Sequence, residues 1–203
     1  MNKVFQIGFN KCATTSFFLL FGKTTRPSVK SIHWDVGRLA YKIHRNHLEN
    51  KPLLTGYEEY TFFSDIEGPI DGDKNSPLIY AHKEYYKDLD KQYPDSKFIL
   101  NTRNVYDWLE SRKKHLNRKD YQIRSYFERC KFHYKLNDHQ LVEKWLLEWE
   151  DHHNDVLNYF KNRPDDLLIY NIDHDNLDKI KKFFPEINFR CKEFPWSKKF
   201  KCY

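Results

Sequence analysis

Three short segments of the chain carry residue types that bind anions or move protons. The first is Gly8-Phe9-Asn10-Lys11-Cys12-Ala13-Thr14-Thr15-Ser16. It lies between an apolar run over residues 4–8 and an apolar pattern with helical spacing over residues 15–21. A strand ends, a small-residue loop carries one lysine, and hydroxyl residues open a helix. The unpaired amides at such a helix start, with the positive end of its dipole, form an anion site. Lys11 adds a point charge there. Thr14, Thr15 and Ser16 add hydroxyl donors, and the backbone of Cys12 and Ala13 adds amides. The spacing excludes a Walker A loop, because Lys11 lies early and no Gly-Lys-Ser/Thr triplet follows. A tyrosine-phosphatase loop is excluded as well, since Phe18 stands where an arginine is needed after Cys12.

The second segment follows the strand-like run 97–102. Arg103 stands at its carboxyl end and Ser111 lies about two helical turns further on. The guanidinium is a planar, two-pronged donor set suited to phosphate, and Ser111 contributes a hydroxyl. The third segment supplies carboxylates. Asp65 and Glu67 follow the strand-like run 60–64, and residues two apart on extended chain face one side. His33, at the end of the short run 29–33, has an ordinary pKa suited to proton transfer near neutrality. Asp65, Glu67 and His33 are therefore the candidate bases.

Lys11-Cys12-Ala13-Thr14-Thr15 resembles the Lys-Ser/Thr/Cys-Gly-Thr-Thr loop of sulfotransferases that use 3′-phosphoadenosine-5′-phosphosulfate (PAPS). Arg103 with Ser111 eight residues later resembles the same family's 3′-phosphate clamp. Lys30-Ser31-Ile32-His33-Trp34-Asp35, Gly56-Tyr57 and Phe63-Ser64-Asp65 are similar to a small soluble bacterial or viral-type subgroup. The resemblance implies that Lys11 and residues 12–16 hold the phosphosulfate, and that Lys11 steadies the leaving oxygen. It also implies that Arg103 and Ser111 grip the 3′-phosphate. By position Asp65 matches the family's base more closely than Glu67 or His33. A basic C-terminal loop closes over the nucleotide in many relatives, which makes Lys198 and Lys199 candidates here. The departure is Ala13, where the family usually has glycine: its methyl is tolerated at negative φ but limits the approach of a phosphate.

These segments need a scaffold that brings strand ends together. Strand-like runs at 4–8, 29–33, 60–65, 97–102 and 167–172 alternate with helical patterns at 34–50, 79–93, 105–115, 141–160 and 177–184. The expected fold is therefore α/β, a three-layer parallel sheet flanked by helices. The resemblance narrows it to a P-loop-NTPase-like sulfotransferase fold, in one domain over 1–203. In such sheets ligands sit beyond the carboxyl ends of the strands.

Both charge signs are mixed along the chain and the net charge is +6, which suits a polyanionic ligand. No nucleic-acid signature is present and no run approaches the roughly 20 apolar residues of a membrane span. No secretory signal is visible, and the four cysteines lack metal or disulfide-framework spacing. The reading is a soluble cytoplasmic enzyme with free thiols and no metal. It converts PAPS to PAP, the 3′,5′-bisphosphate, while sulfating a hydroxyl or amine acceptor. A P-loop-like nucleotide or small-molecule kinase is the alternative, disfavoured by the missing Lys-Ser/Thr pair. No feature of the sequence identifies the acceptor or fixes an oligomeric state.

Overall fold

The computed structural model describes residues 2–70, 76–115 and 125–196. Five parallel strands form the central sheet: β1 (Val4–Gln6), β2 (Ser31–His33), β3 (Phe62–Ser64), β6 (Lys97–Thr102) and β7 (Leu167–Asn171). Their spatial order is β2-β3-β1-β6-β7, so β1 is central. Val4 and Phe5 pair with Phe62 and Phe63 on one side and with Lys97 and Phe98 on the other. From β1 the chain first fills one half of the sheet and then crosses to build the other. The direction of winding reverses around β1, and a crevice opens there at the carboxyl ends.

The strands are apolar on both faces because both faces are covered. Val4, Phe62, Ile99, Leu168 and Tyr170 pack against α1 (Thr14–Thr24) and α8 (Leu177–Phe183) through Phe17, Leu20, Phe21 and Ile180. Phe5, Phe63, Phe98 and Leu100 point the other way. There they meet Leu39 and Ile43 of α2 (Arg38–Leu48), Leu89 of α4 (Tyr86–Gln92), and Val156 and Phe160 of α7 (Asp138–Phe160). This is the expected three-layer arrangement. A third apolar cluster joins α5 (Val105–Lys113), α6 (Tyr126–Tyr134) and the first half of α7 around Trp108, Trp145 and Trp149.

Two boundaries differ from the sequence reading. Residues 79–93 are not one helix. Glu67–Pro69 forms β4, antiparallel to β5 (Leu78–Tyr80). The helix begins only at α3 (Ala81–Glu84) and breaks at Tyr85 before α4. The apolar side chains of Ile79 and Tyr80 continue into Ala81, so the alternating and helical patterns run together. The helix expected from residue 34 begins at Arg38. Trp34, Asp35, Val36 and Gly37 all have positive φ, at 57, 47, 56 and 85°. Each non-glycine residue in this left-handed region costs about 1–2 kcal/mol. The run is held by Tyr57, whose hydroxyl donates to Asp35 at 2.7 Å, and by Arg38, paired to Asp35 at 3.0 Å. It is also held by close backbone packing: a Cβ on Gly68 would lie 2.6 Å from the Gly37 oxygen.

Candidate active site

The loop after β1 is fixed by bonds to its carbonyls. Asn101 in β6 donates to the oxygens of Phe9 at 3.2 Å and Cys12 at 2.8 Å, and accepts from the Gly8 amide at 3.0 Å. Trp108 Nε1 donates to the Asn10 oxygen at 3.0 Å, and Arg103 Nη1 to that of Lys11 at 3.3 Å. Gly8 is required by this closeness, since a Cβ there would lie 2.1 Å from the Asn101 oxygen. The successive carbonyls of residues 9–12 are thus turned into protein contacts. Lys11 and Ala13 are left-handed, at φ 65 and 63°, with Cys12 between them at negative φ. Alternating hands of this kind curve a backbone into a concave set of amides that suits anions. The amides of Ala13, Thr14 and Thr15 have no acceptor among the described residues, and Ala13 gives α1 no side-chain cap.

These groups open into a cavity of about 580 Å³ lined by Asn10, Lys11, Ala13, Thr14, Thr15, Ser16, Asp65, Arg103, Ser111, His115, Ile172 and Trp196. The strand order explains the convergence: β3 and β6 flank β1, so Asp65 and Arg103 emerge on either side of the loop. Arg103 is also held by Asp173, 3.8 Å from Nη2. Among the described residues, Arg103 Nε and Asp65 Oδ1 are buried without hydrogen-bond partners. Depressions elsewhere, such as one beside His47, Lys51 and Asp88 and another beside Lys131 and Lys135, contain no strand-end loop.

The sequence candidates separate into three groups. Lys11, Ala13, Thr14, Thr15, Ser16, Asp65, Arg103 and Ser111 line the cavity. Cys12 does not: its side chain is buried against the aromatic cluster, and burial raises its thiol far above the usual range. Only its backbone belongs to the loop. His33 stands beside the cavity, with Nε2 3.3 Å from Thr15 Oγ1 and 3.7 Å from Asp65 Oδ2, and Nδ1 3.0 Å from Ser64 Oγ. Burial lowers its pKa to about 4, so the ring is neutral at pH 7. Glu67 does not share a cleft-facing side with Asp65. Asp65 has φ 54°, which interrupts the extended chain and turns Glu67 inward, where it is buried. Lys198 and Lys199 lie outside the described residues.

Asp65 is the carboxyl at the cavity floor, with one fifth of its side chain exposed. Burial and the neighbouring Glu67 raise its pKa to about 8, against the opposing charges of Lys11 and Arg112. Sequence reasoning missed several contributors. His115 sits 3.4 Å from Lys11 Nζ, and burial followed by the Lys11 charge lowers its pKa to about 4. Trp196 and Ile172 form an apolar side of the cavity. Asn101 left one signal, a polar residue closing an apolar strand run, because a buried amide must be bonded. His152 and His153, adjacent in sequence, bond to the Ile7 and Trp149 carbonyls, each at 2.7 Å. Among the described residues no group of three or more His, Cys, Asp or Glu side chains is placed to hold a metal ion.

The sheet and cavity define an α/β protein with a cavity lined by anion-suited groups at the carboxyl ends of parallel strands. The chain belongs to the sulfotransferase family: the sulfotransferase-domain profile matches residues 80–186, more than half its length. It is accordingly a transferase of sulfuryl groups. The matched segment includes Arg103 and Ser111, whereas the loop at residues 8–16 precedes it. No curated protein gives a significant match to the chain. Among the described residues, no helix is long and apolar enough to cross a membrane.

Proposed function

We propose that this sulfotransferase takes its sulfuryl group from PAPS, passes it to a hydroxyl or amine acceptor, and releases PAP. The observation that carries this reading is the meeting of the β1 loop, Arg103, Ser111 and Asp65 around one cavity of about 580 Å³. That volume falls within the range of small-molecule sites. The amides of residues 13–15 and Lys11 suit the 5′-phosphosulfate, and Arg103 with Ser111 suits the 3′-phosphate. The unpartnered Arg103 Nε supports a further acceptor on that side. Trp196, 47% exposed, offers the purine a stacking face opposite Ile172.

PAPS supplies an activated S–O bond. Asp65, when ionised, takes the proton of the acceptor hydroxyl as its oxygen bonds to sulfur. Lys11 and the start of α1 stabilise the charge growing on the phosphate oxygen that leaves. Positioning does most of the rest, as in phosphoryl transfer. His33 fixes Asp65 and Thr15 from the side. The cysteines among the described residues, Cys12, Cys130 and Cys191, are free thiols, which supports a reducing, cytoplasmic setting.

The test is thermal stabilisation by PAP without metal, compared with ATP and magnesium. PAP alone is expected to raise the melting temperature. Lys11→Ala should lower turnover of PAPS by about 100-fold or more, the scale of one lost transition-state donor. Arg103→Ala should chiefly weaken PAP binding. A preference for ATP with magnesium would overturn the reading in favour of a kinase.

A further inference from the structure

Behind the cavity floor lies a group of buried polar side chains that the transfer step does not use. Arg112, with no exposed surface, donates to Asn10 Oδ1 at 3.0 Å, to the Tyr80 hydroxyl at 3.0 Å and to the Tyr126 hydroxyl at 2.7 Å. Its Nη1 lies 4.0 Å from Glu67 Oε2. Asn10 Nδ2 and the Tyr126 hydroxyl both donate to Glu67 Oε1, the latter at 3.1 Å. Rings of Phe9, Tyr80, Trp108, Tyr126 and Trp145 surround the guanidinium, their centroids 4.8 to 5.6 Å away.

Stability alone does not account for this arrangement. A buried ion pair is often no more stable than apolar side chains of the same volume. Its polar ends, however, lead to the site. Asn10 lines the cavity and precedes Lys11, while Glu67 stands two residues beyond Asp65. We propose that Asn10, Glu67 and Arg112 form one positioning unit: it sets the left-handed bend of the anion loop, and it places the Glu67 carboxyl behind Asp65, where it acts on that base.

The charges facing Asp65 come from several elements. Glu67 and Arg112 lie behind it, Lys11 approaches from the β1 loop, and His33 lies at the end of β2. Glu67 raises the proton affinity of Asp65, whereas Lys11 and Arg112 lower it. Glu67 itself faces Arg112 and, more remotely, Glu148 on α7. Burial, the largest influence, raises the Glu67 pKa, while the guanidinium and the bonds from Tyr126 and Asn10 work the other way and favour its ionised form. The sign is therefore fixed by one substitution. Glu67→Gln keeps the shape and an acceptor for Asn10 and Tyr126, but removes the charge.

The inference rests on Asp65 as the base, and the experiment separates the two. Single-turnover conversion of PAPS to PAP, with water as acceptor, is followed from pH 5 to 10 in wild type, Glu67→Gln and Asp65→Asn. The rate in wild type is expected to rise with pH as Asp65 ionises. In Glu67→Gln the rise should move about one pH unit lower, with a reduced plateau and unchanged affinity for PAP. Arg112→Met fills the aromatic box but releases Asn10, and should weaken PAP binding about tenfold. If Arg112→Met does not fold, the Glu67→Gln profile decides alone. Should Glu67→Gln lose rate equally at every pH, its role is structural and the positioning unit is refuted. Full activity of Asp65→Asn would instead refute the assignment of the base.

Discussion

Replacing Asp65 with asparagine should make the protein more stable while removing its activity. The unfolded chain releases the Asp65 proton near 3.8, whereas the folded state holds it to about 8. Between those values the folded state binds more protons than the unfolded one, so wild-type stability falls as pH rises. At pH 7 the cost is about 3.2 pH units at 1.36 kcal/mol each, roughly 4 kcal/mol. One fifth of the side chain is exposed, and solvent screening reduces this to about 2 kcal/mol. Asparagine is neutral, nearly the same shape, and among the residues best suited to φ 54°. The gain on substitution should therefore grow from about 1 kcal/mol at pH 5 to about 3 kcal/mol at pH 9, and level off above that. Urea unfolding of both proteins at pH 5, 7 and 9 measures it. Sulfuryl transfer from PAPS should fall by at least about 100-fold, the lower end of general-base contributions. If Asp65→Asn proves less stable than wild type, or if its gain does not vary with pH, the carboxyl is not held protonated by its surroundings.

Two further outcomes test the site and its scaffold. Ala13→Gly relieves a left-handed alanine worth about 1–2 kcal/mol, against about 0.4–1 kcal/mol of added chain entropy and part of a methyl contact. The variant should match or exceed wild-type stability and bind PAP more tightly. Ala40→Gly, inside α2, should lose at least about 1 kcal/mol; equal losses at both positions would refute the strain at Ala13. In the acid direction, His152 is 2% exposed and titrates near 4 when folded, against 6.5 as its ordinary value. The unfolded chain takes up that proton first, so stability is lost as pH falls from about 6.5 towards 4. At pH 5 the loss is about 2 kcal/mol, and urea titrations of His152→Gln should show a shallower dependence than wild type. Parallel curves would refute the neutral, buried ring.

The strand-end segments could be read from the sequence because their signals are local. A strand, a lysine-bearing loop and hydroxyls at a helix start lie within residues 4–16, and Arg103 directly follows its strand. Their convergence also followed from topology, since any parallel sheet brings such ends to one edge. What escaped depended on distant partners. Glu67 and Asp65 were both expected to face one side of an extended segment, but a positive φ at Asp65 sends one into the cavity and the other into the core. Arg112 drew no notice in the sequence, because nothing in its neighbours along the chain announces the aromatic rings and Asn10 around it. The β4–β5 pair was hidden because Ile79 and Tyr80 satisfy a helical pattern as well as an alternating one. The left-handed turn at Trp34–Gly37 left no signal beyond Gly37, because its support comes from Tyr57 and Gly68.

The central place of β1 has a consequence for how the molecule is made. During synthesis β1 has no neighbour in this sheet until Phe62 and Phe63 arrive, and its second side stays open until Lys97–Thr102 emerges. Vectorial synthesis therefore keeps Val4, Phe5 and Ile7 waiting as an apolar stretch suited to chaperone capture. Removing those residues would part the two halves of the sheet rather than fray an edge. The loop after β1 is tied to Asn101, so it reaches its final shape only after that residue has been translated.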